Sequence, residues 1–145
     1  MNEEFLREVA AEHRKGRRLF VGTTNLDAQR AVVWNMGEIA SSGSPNAVDL
    51  FRKILLSSAA IPGVFPPGMI EVAANGNVYK EMHVDGGTAR QVLLLPPHFS
   101  AKRVDSRIGV KPVRRAYIIR NGRVTPEKEA VKVSALSIGP RSVST

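Results

Sequence analysis

The sequence contains no cysteine, and this absence excludes several kinds of chemistry. Disulfides, thiolate nucleophiles and cysteine-based zinc sites all require a residue that the chain does not have. Aromatic residues are scarce as well, at 6% of 145 residues. No apolar run approaches the roughly 18 residues that a membrane-spanning helix requires. The first residues are too acidic for a signal peptide, so the sequence predicts no particular compartment.

Common catalytic motifs are missing too. No serine has glycines two residues to either side, as a G-x-S-x-G nucleophile elbow requires. The sequence contains no P-loop, dinucleotide-binding fingerprint or H-E-x-x-H metal motif. His83 and Asp85 would share one face of a strand, but two ligands do not make a metal site, and no third stands at useful spacing. We therefore expect no metal and no cofactor.

The composition is that of one modest globular domain with a strongly basic end. Apolar residues make up 43% and charged residues 23%, and the net charge is +8. Residues 1–100 contain ten Lys/Arg and ten Asp/Glu, whereas residues 101–145 contain eleven against three, which is the whole +8. Such a segment suits anionic lipid headgroups or nucleic acid, although a solvated basic rim explains it equally. Only Tyr117 lies among these basic residues, so stacking faces are few and no specific nucleic acid is expected.

The spacing of apolar residues predicts the element order α, β, β, α, β, β, β, β. The predicted helices cover residues 3–15 and 44–58, and the predicted strands cover 17–24, 29–34, 69–73, 78–85, 91–95 and 113–119. Asn2 and Ser44 are the expected N-caps of the two helices. Residues 59–67 contain three prolines and predict a rigid, extended connection. The strand over 113–119 is apolar on both faces, which predicts burial inside a sheet. A last apolar stretch, 131–138, leads into a helix start that the chain end cuts off. The order favours part of a layered α/β domain.

The candidate site is the stretch from His83 to Gly87, where an acidic residue and two glycines end the strand over 78–85. In α/β proteins, ligands collect beyond the carboxyl ends of the strands, and glycine lets the backbone turn sharply there. Asp-Gly is also a common turn dipeptide, so an ordinary turn competes with a functional carboxylate. We expect His83 to support its neighbour Asp85 rather than to catalyse. Asn25 and Asp27 are expected to form turn-stabilising bonds.

Asp85-Gly86-Gly87 resembles the D-G-[GA] motif of the patatin-like phospholipase family. Residues 55–67, Leu-Leu-Ser-Ser-Ala-Ala-Ile-Pro-Gly-Val-Phe-Pro-Pro, resemble that family's segment between a late helix and the aspartate strand. Residues 17–34, 116–122 and 134–138 are similar to bacterial members. The likeness covers nearly the whole chain, and it lies in the order and spacing of these stretches.

The resemblance implies an acyl hydrolase that cleaves ester bonds of phospholipids or related lipids through a Ser-Asp dyad. In this family the serine of G-x-S-x-G attacks the acyl carbonyl, the aspartate accepts its proton, and a Gly-rich loop forms the oxyanion hole. Carried over to this chain, Asp85 is the proton acceptor, Gly86 and Gly87 shape its turn, and His83 supports the motif. The implied fold is a layered α/β patatin-like sheet with flanking helices.

The chain departs from the family pattern because the serine elbow and the Gly-rich loop are both missing. In the family both lie N-terminal to the segments found here. We therefore expect residues 1–145 to form the C-terminal half of a patatin-like catalytic domain, incomplete at both ends and inactive alone. The expected partners are a phospholipid or other acyl-ester lipid and, through the basic segment, an anionic membrane. The alternative is a non-catalytic basic module that binds anionic membrane or nucleic acid.

Overall fold

The computed structural model describes residues 1–89 and residues 115, 117 and 119. Its elements are, in chain order, α1 (Glu3–Arg14), β1 (Phe20–Asn25), β2 (Arg30–Asn35), α2 (Met36–Ser41), α3 (Ala47–Ser58), β3 (Gly68–Ala74), β4 (Asn77–Asp85) and a single 3-10 turn at Gly86–Thr88. This combination of helices and a sheet confirms the predicted α/β class.

Within these residues the four strands form one sheet in the order β2-β1-β4-β3, and every neighbouring pair is antiparallel. Short turns join β1 to β2 and β3 to β4, and strands joined in this way pair antiparallel. The second turn is Asn75-Gly76, with φ of 52° and 78°, as its sequence predicts.

The antiparallel order corrects the expectation of an open crevice beyond aligned carboxyl ends of strands. Asp85, the last residue of β4, pairs with Thr23 near the middle of β1. The first residues of β1 therefore run on beside the turn that follows Asp85. The candidate site lies against the backbone of a neighbouring strand.

One face of the sheet packs against the helices to form the core. Its fully or nearly buried members are Leu6, Met36, Ala47, Phe51, Ile54 and Ile70. Phe51 and Ile54 come from α3, as the apolar spacing of that helix predicts. Through these core side chains α3 packs against the sheet. The helix ends at Ser58, just before the proline-rich connection.

Two helices differ from the sequence prediction: one was not predicted, and one begins later than expected. The helix α2 was not expected: Asn35 caps it, accepting a hydrogen bond from Glu38 N–H at 3.4 Å. Its six residues are too few to show a helical apolar period. The helix α3 begins at Ala47 after Asn46, and the predicted cap Ser44 lies upstream, where its carbonyl accepts a bond from Ala47 N–H at 3.0 Å.

The predicted buried strand over residues 113–119 is wrong at the positions that the structure describes. Residues 115, 117 and 119 form no strand, and Tyr117 and Ile119 are 85% and 96% exposed. An apolar run shows only that burial would be favourable, because other elements must cover a strand before it is buried. The predicted strand over 91–95, the apolar stretch 131–138 and the remaining basic positions lie outside the described residues.

Candidate functional site

Asp85 is held at the end of β4 by three hydrogen bonds. Its backbone N–H donates to the Ala60 carbonyl at 3.0 Å, and its own carbonyl accepts from the Thr24 hydroxyl at 3.0 Å. Its side-chain Oδ1 accepts from Gly87 N–H at 2.7 Å. The residue is half-buried. The turn thus engages one carboxylate oxygen, Oδ1, and within the described residues Oδ2 has no hydrogen bond.

Gly86 is required by a close approach of two backbones. A Cβ atom at this position would lie 2.6 Å from the Gly22 carbonyl oxygen, nearer than van der Waals contact permits. Its φ is not positive, so glycine is needed here for space rather than for a left-handed turn. Gly87 is exposed, and a Cβ there would meet only the Asp85 side chain, at 3.1 Å. The two glycines of the motif therefore have different roles.

His83 is fully buried and bonds to residues other than Asp85. Its Nδ1 lies 2.8 Å from the Thr23 hydroxyl oxygen, which also accepts a bond from the Trp34 indole N–H at 2.8 Å. Its Nε2 lies 3.4 Å from Oε2 of Glu81. All these groups are satisfied when Thr23 donates its proton to Nδ1 and Nε2–H points to Glu81.

This Thr23–His83–Glu81 chain has the residue types of a nucleophile, base and carboxylate, but its burial argues against catalysis. Thr23 and His83 are both 0% exposed, so an acyl substrate could not reach the hydroxyl. The chain is a buried polar network that ties β1, β2 and β4 together. Sequence reasoning missed Thr23 and Trp34, because only the strand register brings them to His83. Glu81 could have been found, since it stands two residues from His83 on the same strand.

Asn25 and Asp27 are used in structural bonds. Asn25 Oδ1 accepts from Ala28 N–H at 2.9 Å, which confirms its predicted turn-forming role. Asp27 Oδ2 accepts from Met82 N–H at 2.7 Å and so fastens the β1–β2 turn to β4. The buried Asn25 Nδ2 finds no hydrogen-bond partner within the described residues. Both side chains thus brace the strands that carry the candidate site.

An apolar groove of about 450 Å³ adjoins the connection whose Ala60 carbonyl binds Asp85. It is lined by Lys53, Leu56, Ser57, Ala59, Ala60, Phe65, Pro66, Pro67 and Gly68. A hydrogen bond to Asp49 raises the pKa of Lys53. A smaller cavity of about 290 Å³ lies at the end of α1, where His13 meets Gly37.

No group of three or more acidic or histidine side chains in the described part of the chain is placed to hold a metal ion. None of the described helices is long and apolar enough to cross a membrane. No protein-family model, curated protein or solved structure matches this chain. The likeness to patatin-like phospholipases therefore rests on the residue patterns given above.

Proposed function

We propose that this chain carries the aspartate half of a Ser-Asp dyad of a patatin-like lipid acyl hydrolase, within a layered patatin-like domain. One observation carries the proposal: the D-G-G aspartate, Asp85, is held at a strand end by three hydrogen bonds, and the turn bond engages only its Oδ1. The glycine that follows it is required by the neighbouring strand. Both features are those that a positioned general base needs.

The chemistry assigned to Asp85 is proton acceptance. As a serine hydroxyl attacks the acyl carbonyl of a phospholipid or other acyl ester, its proton passes to the carboxylate. The ester C–O bond of the substrate then breaks, the alcohol part takes up that proton and leaves, and an acyl-enzyme remains. Water gives a proton to the carboxylate as it attacks the acyl-enzyme, the bond to the serine oxygen breaks, that oxygen takes back the proton, and the fatty acid leaves. The sequence has no serine in a nucleophile elbow. Residues 1–145 alone are therefore expected to hydrolyse nothing, and we expect the serine in a segment that precedes them in the same polypeptide.

The test begins with the coding sequence upstream of Met1. We expect an in-frame extension with a Gly-rich loop followed by G-x-S-x-G. The extended protein should hydrolyse a p-nitrophenyl acyl ester, and Asp85→Asn should lower kcat by about a thousandfold or more, as expected for the loss of a general base.

Asp27→Asn is the matched control, because Asp27 is an acidic residue of the β1–β2 turn, and an asparagine oxygen can still accept its structural bond from Met82 N–H. It should retain most of the activity. A stop codon without an elbow upstream, or an active extended protein that tolerates Asp85→Asn, would contradict the proposal. Hydrolysis by residues 1–145 alone that Asp85→Asn abolishes would contradict the missing-serine part.

A further inference from the structure

Three large apolar side chains stand out from the end of α3 and the connection after it. Leu56 is 65% exposed, Val64 is 54% exposed and Phe65 is 55% exposed. Leu56 and Phe65 line the same groove, so they belong to one continuous surface, and Val64 is the neighbour of Phe65 in the chain. We call these three residues the apolar tip. Clustered exposed apolar groups of this kind mark an interaction surface.

The apolar tip is held in a fixed shape. The N–H groups of Val64 and Phe65 both donate to the Ile61 carbonyl, at 3.1 and 3.0 Å. Pro62, Pro66 and Pro67 restrict the backbone on either side, and Gly63 takes a φ of 78° that suits glycine. Binding through this surface would order little additional chain, which lowers the entropic cost of association.

The charge of the molecule selects among the possible partners. The chain carries a net charge of +8, and none of the described residues that line the groove beside the apolar tip is acidic. Two copies of the chain repel each other at this charge, whereas an anionic bilayer attracts it. Exposed apolar side chains on a chain of strong positive charge are a combination that binds membrane interfaces.

We propose that the apolar tip enters the interfacial layer of an anionic lipid membrane, to which the net charge of +8 attracts the chain. The apolar tip does not include Asp85, whose proposed role is to accept a proton. Binding is therefore measured without any hydrolytic readout, and its outcome is independent of the proposed function.

The absence of cysteine makes the test direct, because a single introduced cysteine can be labelled with an environment-sensitive fluorophore. Val64→Cys places the label on the apolar tip. Val78→Cys is the control: Val78 is 70% exposed but pairs with Ala73 beside the β3–β4 turn, at the opposite end of the hairpin from Gly68. Vesicles of phosphatidylglycerol mixed equally with phosphatidylcholine should shift the emission to the blue at residue 64 and leave residue 78 unchanged.

A second measurement uses unlabelled protein in vesicle co-sedimentation. Val64→Ser combined with Phe65→Ser should weaken binding to the anionic vesicles by about tenfold or more, since two apolar side chains lose their burial. Val33→Ser, at an exposed position of β2, should leave binding unchanged. Val64, Phe65 and Val33 are all exposed, so the urea midpoints of both variants should stay close to that of the parent.

Three results would overturn the proposal. The first is equal affinity of the Val64→Ser/Phe65→Ser variant and the parent. The second is an equal blue shift at residues 64 and 78. The third is a blue shift at residue 64 that follows protein concentration without vesicles, because that result would identify an interface between two copies of the chain.

Discussion

At the scale of single residues, Thr23 is the point where three strands are joined by side chains. Its hydroxyl bonds to the Trp34 indole of β2 and to His83 of β4, and all of this lies in a buried part of the sheet. A buried donor or acceptor that loses its partner costs about 1–3 kcal/mol. Loss of the Thr23 hydroxyl should therefore lower the free energy of unfolding by more than the loss of one hydrogen bond.

The first prediction concerns this hydroxyl. Thr23→Val keeps the shape but leaves His83 Nδ1 and the Trp34 N–H without their partner, so we expect the free energy of unfolding to fall by about 2–4 kcal/mol. Thr24→Val is the matched control, because it removes a single bond to the Asp85 carbonyl. Urea unfolding of both variants checks the order. Equal losses would show that the network contributes little.

The second prediction separates the two glycines of the motif. Gly86→Ala forces a Cβ against the Gly22 carbonyl, and we expect a loss of about 1–3 kcal/mol, as for other overpacked sites. Gly87→Ala meets only a side chain that can rotate, so its loss should stay below about 1 kcal/mol. Thermal unfolding distinguishes the two. If Gly87→Ala proves the more harmful, the close approach to Gly22 does not limit the site.

At the scale of elements, α3 and β3 touch so closely that one position of each must be small. A Cβ on Gly68, the first residue of β3, would clash with Ser57 Oγ of α3. Ser57 is fully buried and donates to the Lys53 carbonyl at 2.7 Å. This contact leaves no room for a side chain at Gly68, and the segment between the two residues includes Ala60, whose carbonyl accepts the Asp85 N–H.

The third prediction is a coupling between these two elements. Gly68→Ala should destabilise the protein by about 1–3 kcal/mol. Ser57→Ala removes the clashing oxygen and leaves the Ser57 Cβ as the nearest atom, at 3.0 Å. The double variant should therefore recover about half of the loss, a coupling that a double-mutant cycle measures. Purely additive losses would contradict the contact.

At the scale of the whole molecule, the described sheet ends in two edge strands, β2 and β3. Unpaired strand edges favour association with other chains. The net charge of +8 opposes association, and salt screens that repulsion. The strand edges therefore favour self-association of the protein, whereas its net charge opposes self-association.

The fourth prediction follows from this opposition. The weight-average mass from sedimentation should rise with ionic strength, as repulsion between copies is screened. Val33→Lys adds a charge to the edge strand β2, where Val33 is 45% exposed, and should reduce this rise. Leu26→Lys is the control, because it adds the same charge in the exposed β1–β2 turn, outside the edge strand. A protein that stays monomeric at every ionic strength would contradict the prediction that the edge strands cause association. It would also count against the interpretation of residues 1–145 as an incomplete domain.

The sequence alone determined the local structure. The apolar stripe of α3, the Asn75-Gly76 hairpin and the end of β4 at Asp85 all follow from short-range rules, since helical period, turn chemistry and strand alternation involve only neighbours in the chain. The same rules put His83 and Asp85 on one face of their strand.

Tertiary structure decided the partners. The order β2-β1-β4-β3 sets His83 beside Thr23, sixty residues away in the chain. Asp85 instead forms hydrogen bonds with Gly87 of its own turn and with Ala60. Local rules could not predict this, because alternation assigns a face to each side chain but strand register assigns its neighbours. For the same reason an apolar run ending at Ile119 predicted burial, although that side chain is exposed: burial depends on what the rest of the chain brings to cover it.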